Sequence, residues 1–254
     1  MSSVVACYKW VIDEEDIRVK SDQTIDVSKA RMKISGYDRN AIQAAVTAAN
    51  AMGARTIGLN YGSPKAKKSA KDALSRGLDE LIRIVDDNAD SADNVRSASA
   101  LAAGISSVDD VRLVVMAEGA SDDFSRQTAP RVAAALDWPI ATCVTALEVA
   151  DNVARVTRQL EDTTETIEIE LPAVVAVLPE ICQVPIPSLK QIVAAGKKPS
   201  RELDAASTEG IAQPAVHVEH VEAYASKRKN IVFKADDGDA VQKLVAALHK
   251  EGVL

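Results

Sequence analysis

Short apolar runs alternate with stretches whose apolar residues recur every three to four positions, and this rhythm holds from Val4 to Trp138. Val4–Lys9 reads as a first strand. Asp38 is placed to cap a helix reaching about Met52, with Ile42, Ala45, Val46 and Ala49 on one face and Gly53 closing it. Thr56–Asn60 is a second strand. Ser63 and Pro64 then supply a cap and a first-turn proline for a helix that runs to Arg76 and stops at Gly77. Leu81–Val85 follows as a strand, Ala92–Ala103 as a helix and Val111–Met116 as a strand. A further helix starts near Gln127 or Thr128 and ends before Trp138-Pro139. Alternation of this kind predicts an α/β fold, a parallel sheet with helices on both faces. Ligands bind such sheets at the carboxyl ends of strands, near the point where strand order reverses. The loops after Lys9, Asn60 and Met116 are therefore the places to look.

Beyond Ala141 the pattern changes. Ala154–Gln159 and Thr166–Leu171 both alternate and are joined by a polar turn, which predicts a β-hairpin. The run from Pro172 to Val177 is a buried strand, and Pro179, Pro185 and Pro187 break the chain after it. Past Lys197 apolar residues thin out, until a closing helix from Asp237 to Leu254 carries Ala240, Val241, Leu244 and Leu248 on one face. The expected division is an α/β domain with its hairpin over residues 1–184, then a thin C-terminal stretch over residues 185–254 that reads as an arm lying on a partner, with a loose surface extension as the alternative.

Composition narrows the function classes. The chain has 254 residues, enough for a full core, with 47% apolar, 26% charged and only 3% aromatic residues, so Ala, Val, Ile and Leu must fill the interior. A net charge of −7 argues against a nucleic-acid partner, which needs a basic surface. The cysteines Cys7, Cys143 and Cys182 are sparse and unpaired in spacing, as in reduced cytoplasmic proteins. The first strand lacks the basic flank of a signal peptide, and no apolar run is long enough for a membrane span.

Candidate chemistry concentrates between Val114 and Thr145. An apolar strand there runs into a small, acidic loop (Ala117–Asp123) and then a helix start, the arrangement that offers free backbone N–H groups to a phosphate. Ser125, Gln127 and Thr128 add side-chain donors, though the first and last also serve as simple helix caps. Tyr61-Gly62-Ser63 lets backbone come close after the second strand, and Cys7-Tyr8-Lys9 ends the first. The paired acids Asp122-Asp123 read as solvated loop charges. Lys65, Lys67, Lys68 and Lys71 read as a solvated helix face. His217 and His220 lie in an alternating segment that points them to opposite faces, so a metal site is not expected. From these residues alone, nucleotide binding stands beside the many other uses of parallel α/β sheets.

Several blocks, in this order, resemble the beta subunit of electron transfer flavoproteins over nearly the whole chain. They are VVACYKWVIDEEDIRV (4–19), SGYDRNAIQAA (35–45), AEGASDDFSRQTA (117–129) with LDWP (136–139) after it, VTRQLEDTTETIEIELPAVVAV (156–177) and PIPSLKQIVAAGKKP (185–199). The Glu-Gly-x-x-Asp form of the loop is most similar to the branch serving nitrogen fixation, carnitine reduction and anaerobic acyl-CoA metabolism. The resemblance implies an adenine-nucleotide-alpha-hydrolase-like sheet with a C-terminal arm around an alpha subunit that carries most of the FAD site. It implies AMP, or a second FAD, in this chain. Carried over, that pocket falls on Cys7, on Ser35, Gly36, Tyr37 and Asp38, on Tyr61 with Gly62, and on Glu118, Gly119, Ala120, Asp122, Ser125, Gln127, Thr128 and Ala129. Tyr37 matches an aromatic near the flavin. Leu189 matches a leucine that docks into an acyl-CoA-type or related flavin dehydrogenase. Ala129 replaces a family glycine, Phe124 an aspartate, Glu118 a frequent lysine, and Glu14 stands at a flavin-side tyrosine position. The implied role is an electron carrier, with no acid–base catalytic residue of its own. The alternatives are a stand-alone, stress-protein-like nucleotide-binding homodimer and an adenylating ATP pyrophosphatase. The latter needs a Ser-Gly-Gly-x-Asp-Ser loop that Lys9–Asp13 does not supply.

Overall fold

In the computed structural model, which describes residues 1–224 and 228–254, nine strands form one sheet. They are β1 (Ser3–Cys7), β2 (Arg55–Gly62), β3 (Glu80–Val85), β4 (Val111–Ala117), β5 (Ile140–Ala150), β6 (Val153–Gln159), β7 (Thr164–Glu170), β8 (Ala173–Val177) and β9 (Ser200–Asp204), in the spatial order β7-β6-β5-β8-β4-β1-β2-β3-β9. Pairings are parallel except β5–β6 and β6–β7. The chain moves outward from β1 through β2 to β3, then returns to place β4 on the other side of β1. Strand order therefore reverses between β1 and β4, and the crevice at their carboxyl ends lies beside Cys7 and Ala117.

Helices cover both faces. Val4 and Ala6 of β1 pack with α1 (Gly36–Met52), α2 (Ala70–Ser75) and α5 (Leu189–Ala195), while Val5 and Cys7 pack with α3 (Asn94–Ser106) and α4 (Thr128–Leu136). Scarce aromatics are met by alanine: Ala41, Ala44, Ala45, Ala48 and Ala49 are all buried and let α1 lie close on the sheet. Gly53 closes α1 in the left-handed region (φ 60°), where a Cβ would be strained.

Three expectations need correction. Asp38 does not cap α1; Ser35 holds the N-cap position and Asp38 sits buried inside the first turn. The predicted hairpin is one part of a three-stranded antiparallel wing, because β5 pairs with β6 from Val144 to Ala150 and the half-exposed alternation of this part of β5 hides it from an apolar-run reading. Ser200–Asp204, in the polar stretch past Lys197, joins the sheet edge beside β3, where its Glu202 meets the buried Arg83 at 2.8 Å.

Residues 1–18 with 26–221 form one compact unit and residues 19–25 with 222–254 a second. Within the second, Ala223 N–H donates to the Gln23 carbonyl, and α6 (Ala240–Lys250) leaves Val241, Leu244 and Val245 exposed along one side. Among the described residues no helix is long and apolar enough to cross a membrane.

Candidate functional site

The segment from Cys7 to Asp38 reaches the crevice through a short antiparallel ribbon, Trp10–Ile12 against Met32–Ile34. The ribbon returns the chain to its start: Ser35 N–H donates to the Lys9 carbonyl (3.1 Å), and Lys9 N–H donates to Asp38 Oδ2 (2.8 Å). Across the crevice, Ser121 N–H donates to Ser35 Oγ (3.2 Å), and Lys9 Nζ lies 2.6 Å from Asp122 Oδ2. Tyr37 packs on Phe124 with ring centroids 5.1 Å apart. The sequence-predicted residues of 7–9, 35–38 and 118–124 are thus brought together over the switch point.

Burial pushes the Cys7 thiol up, with the Asp38 charge adding to it, so Cys7 is a neutral wall residue. Burial also raises the Asp38 carboxyl from its ordinary 3.8 to about 7; the Lys9 N–H and charge oppose the rise, and Asp122 adds to it.

The acidic loop is organised by an internal ion pair. Arg126 Nη2 meets Glu118 Oε1 at 3.0 Å, and Glu118 Oε2 accepts from Cys143 N–H at 2.8 Å. Glu118 is buried and paired, so no bare carboxylate faces the loop interior. Phe124 (φ 43°), Arg126 (58°) and Cys143 (57°) all sit in the left-handed region, which non-glycine residues enter at a cost. A Cβ on Gly119 would lie 2.7 Å from the Phe124 ring, so a larger residue there would push that ring aside. Ala120 accepts from Phe124 N–H and closes the turn.

The start of α4 differs in detail from the expectation of several free donors. Ser125 Oγ and Thr128 Oγ1 both donate to Asn94 Oδ1 (3.1 and 3.0 Å), so their hydrogens are already committed. Gln127 stands at the N-cap without a capping bond and its side chain accepts from Arg131. Pro130 has no N–H. Of the first-turn donors, those of Thr128 and Ala129 remain. Ala129 is buried against the face that holds α3. An anion at the start of α4 would therefore be met by backbone N–H groups, and in the same loop Ser121 Oγ is buried without a hydrogen-bond partner.

Tyr61 and Gly62 join this site through α3 rather than directly. Tyr61 OH donates to Asp86 Oδ2 (2.6 Å), Arg96 Nε donates to the same oxygen (2.8 Å), and Asp86 N–H donates to the Gly62 carbonyl. Burial would raise Asp86, but the hydrogen bonds from Tyr61 and Arg96 outweigh it and hold the carboxyl below its usual range. Burial and Asp86 push the Tyr61 hydroxyl up. The first turns of α3 thus tie two loops together, Asn94 holding the α4 entry and Arg96 the β2 exit. Sequence reasoning passed over Asn94 and Arg96, whose partners lie on other segments, and Arg126, whose pairing with Glu118 within the loop has no periodic signature.

Leu189 lies far from this crevice in sequence and is 78% exposed. It does not sit outside regular structure as its flanking prolines suggest. It is the first residue of α5, behind a capping box of Ser188 and Gln191. His217 and His220 are exposed and not in a strand, and no metal-binding group of His, Cys, Asp and Glu occurs among the described residues. Two cavities open away from the crevice, one of about 220 Å3 beside α1 and α2 and one of about 460 Å3 lined by Ser2, Met52, Asp110, Arg112 and Asp151.

Comparison with protein families adds what the geometry alone leaves open. Residues 23–208 match the family described as electron transfer flavoprotein domain, a span that includes α1, every strand of the sheet after β1, the 118–129 loop and Leu189. The chain belongs to the electron transfer flavoprotein domain family.

Proposed function

We propose that this chain is the beta-type subunit of a heterodimeric electron transfer flavoprotein. Its partner is an alpha subunit carrying most of the FAD, and its own crevice takes AMP or a second FAD. The observation that carries the reading is the meeting of 7–9, 35–38 and 118–124 at the reversal of strand order, with the start of α4 following directly in the chain, in a member of this family. A bound flavin supplies the one- and two-electron chemistry.

This chain's residues position and insulate. The Thr128 and Ala129 N–H groups and the α4 dipole hold a phosphate. Arg126 keeps Glu118 from repelling it. Tyr37 and Phe124 present apolar ring area that excludes water, and the Lys9–Asp122 pair closes the side of the crevice. The pair is half-exposed, so it opens at little cost to admit a ligand. Exposed Leu189, on its capped helix, is the docking residue for a flavin dehydrogenase. The test is co-expression with an alpha subunit: the pair should purify together and be yellow, whereas this chain alone should hold little flavin. A stoichiometrically flavinylated single chain refutes the division of labour.

A further inference from the structure

Beside the docking helix lies a second feature that electron transfer does not use. A cavity of about 220 Å3 is bounded by α1, the end of α2 and the segment 184–187, with Arg39, Arg76, Val46, Ile186 and Gln191 on its walls. It is smaller than the roughly 300–1,000 Å3 that holds a nucleotide-sized ligand. Its polarity is unusual for a chain of net charge −7, because both charged residues lining it are arginines. Arg76 is 11% exposed and shares its charge with Asp72 at 2.9 Å. Arg39 makes no ion pair among the described residues, and its Nε is buried with no hydrogen-bond partner. Burial, reinforced by the charge of Arg39, pulls Arg76 below its usual range despite the nearby Asp72. The charges of Arg39 and Arg76 oppose each other across the cleft, and the unpartnered Arg39 Nε is a donor that a carboxylate would satisfy. The mouth is rimmed by Ile186, 93% exposed, and α5 presents Leu189 and Val193, 78% and 60% exposed. Leu189 is thus flanked in the chain by two residues of the cleft wall, Pro187 and Gln191.

We propose that this cleft receives a glutamate or aspartate side chain of the protein partner whose apolar pocket takes Leu189. The proposal rests on reading Leu189 as a docking residue and adds a charge that sets the register of the complex. A carboxylate accepts from a guanidinium fork bidentately, satisfies the Arg39 Nε and offsets the repulsion from Arg76. The apolar walls suit the methylenes that carry it.

The experiment is an NMR titration of the full chain with blocked glutamate (N-acetyl-glutamate amide). The amides of Gly77, Val184, Ile186 and Gln191 should shift with a millimolar Kd that weakens as salt is raised. Arg39→Gln should weaken binding about tenfold or more, and Arg39→Lys less. Blocked glutamine should leave the spectrum unchanged. Neither variant should lower the melting temperature, since each touches a repulsive pair; if one did, salt-sensitive binding of blocked glutamate by the wild type still decides. The proposal is overturned if blocked glutamine shifts the same amides, if Arg39→Gln binds like the wild type, or if free glutarate binds at micromolar Kd, which would assign the cleft to a small dicarboxylate. No partner is needed, so failure here leaves the Leu189 reading standing. That reading fails separately if Leu189→Ala keeps full affinity for the dehydrogenase.

Discussion

Replacing Asp38 by asparagine should leave the protein nearly unchanged below about pH 4 and stabilise it increasingly as pH rises towards 7. Asp38 is 6% exposed and its carboxyl is raised from 3.8 to about 7, mainly by burial. Between those values the folded state binds a proton that the unfolded state has released. Stability therefore falls as pH rises from about 4 to about 7, then levels off. About three pH units at ~1.4 kcal/mol each set a ceiling of about 4 kcal/mol on that loss. Asparagine cannot ionise, yet its oxygen still accepts the Lys9 N–H that Asp38 Oδ2 now holds at 2.8 Å. The assay is urea denaturation of both proteins at intervals from pH 5 to 8.5. The curves should diverge with rising pH, Asp38→Asn gaining up to a few kcal/mol at the basic end. Asp122→Asn should lower the midpoint of the wild-type loss and Lys9→Ala should raise it, following the signs of their charges on Asp38. Parallel profiles for wild type and Asp38→Asn would refute the reasoning.

Other expectations follow from the same geometry. Leu189→Ala should change unfolding free energy by less than about 0.5 kcal/mol, because the side chain is 78% exposed, while raising the Kd for the partner dehydrogenase about tenfold or more in a binding assay. Arg96→Ala should cost about 3 kcal/mol in chemical denaturation by stranding the buried Asp86 carboxylate, and Asp86→Asn in the same chain should recover part of the loss. Thr128→Asp should abolish nucleotide retention by placing a fixed charge at the α4 entry, whereas Thr128→Ser, which keeps the bond to Asn94, should retain it; equal nucleotide content in both would contradict the phosphate assignment.

The parallel core could be read from the chain because β1, β4 and β8 are nearly unbroken apolar runs, β2 and β3 are interrupted by only a few polar residues such as Asn60 and Arg83, and the turns between them carry start or stop residues such as Gly53 and Pro64. The strands that escaped are those without such runs. β5 alternates half-buried with exposed residues, and β9 pairs at the sheet edge through backbone and the Arg83–Glu202 contact. At the crevice, the loop and its neighbours were visible as segments, but their wiring was not. The bonds from Ser125 and Thr128 to Asn94 and from Ser121 to Ser35 join residues 31, 34 and 86 positions apart, and pair chemistry at such distances leaves no periodic trace. Asp38 was misplaced for a related reason. An acidic residue before an apolar-periodic stretch signals a cap, and only the ribbon that folds Lys9 back onto it makes it a buried acceptor instead.

The most direct test of the account is the composition of the complex that this chain forms when expressed with an alpha-type subunit. The purified complex is denatured, and released flavin and adenine nucleotide are counted per pair of chains. The account predicts one flavin together with either one AMP or a second flavin, and loss of the second nucleotide alone in Thr128→Asp. A chain that purifies as a homodimer without an alpha-type subunit, or a complex that releases no nucleotide beyond a single flavin, would contradict it.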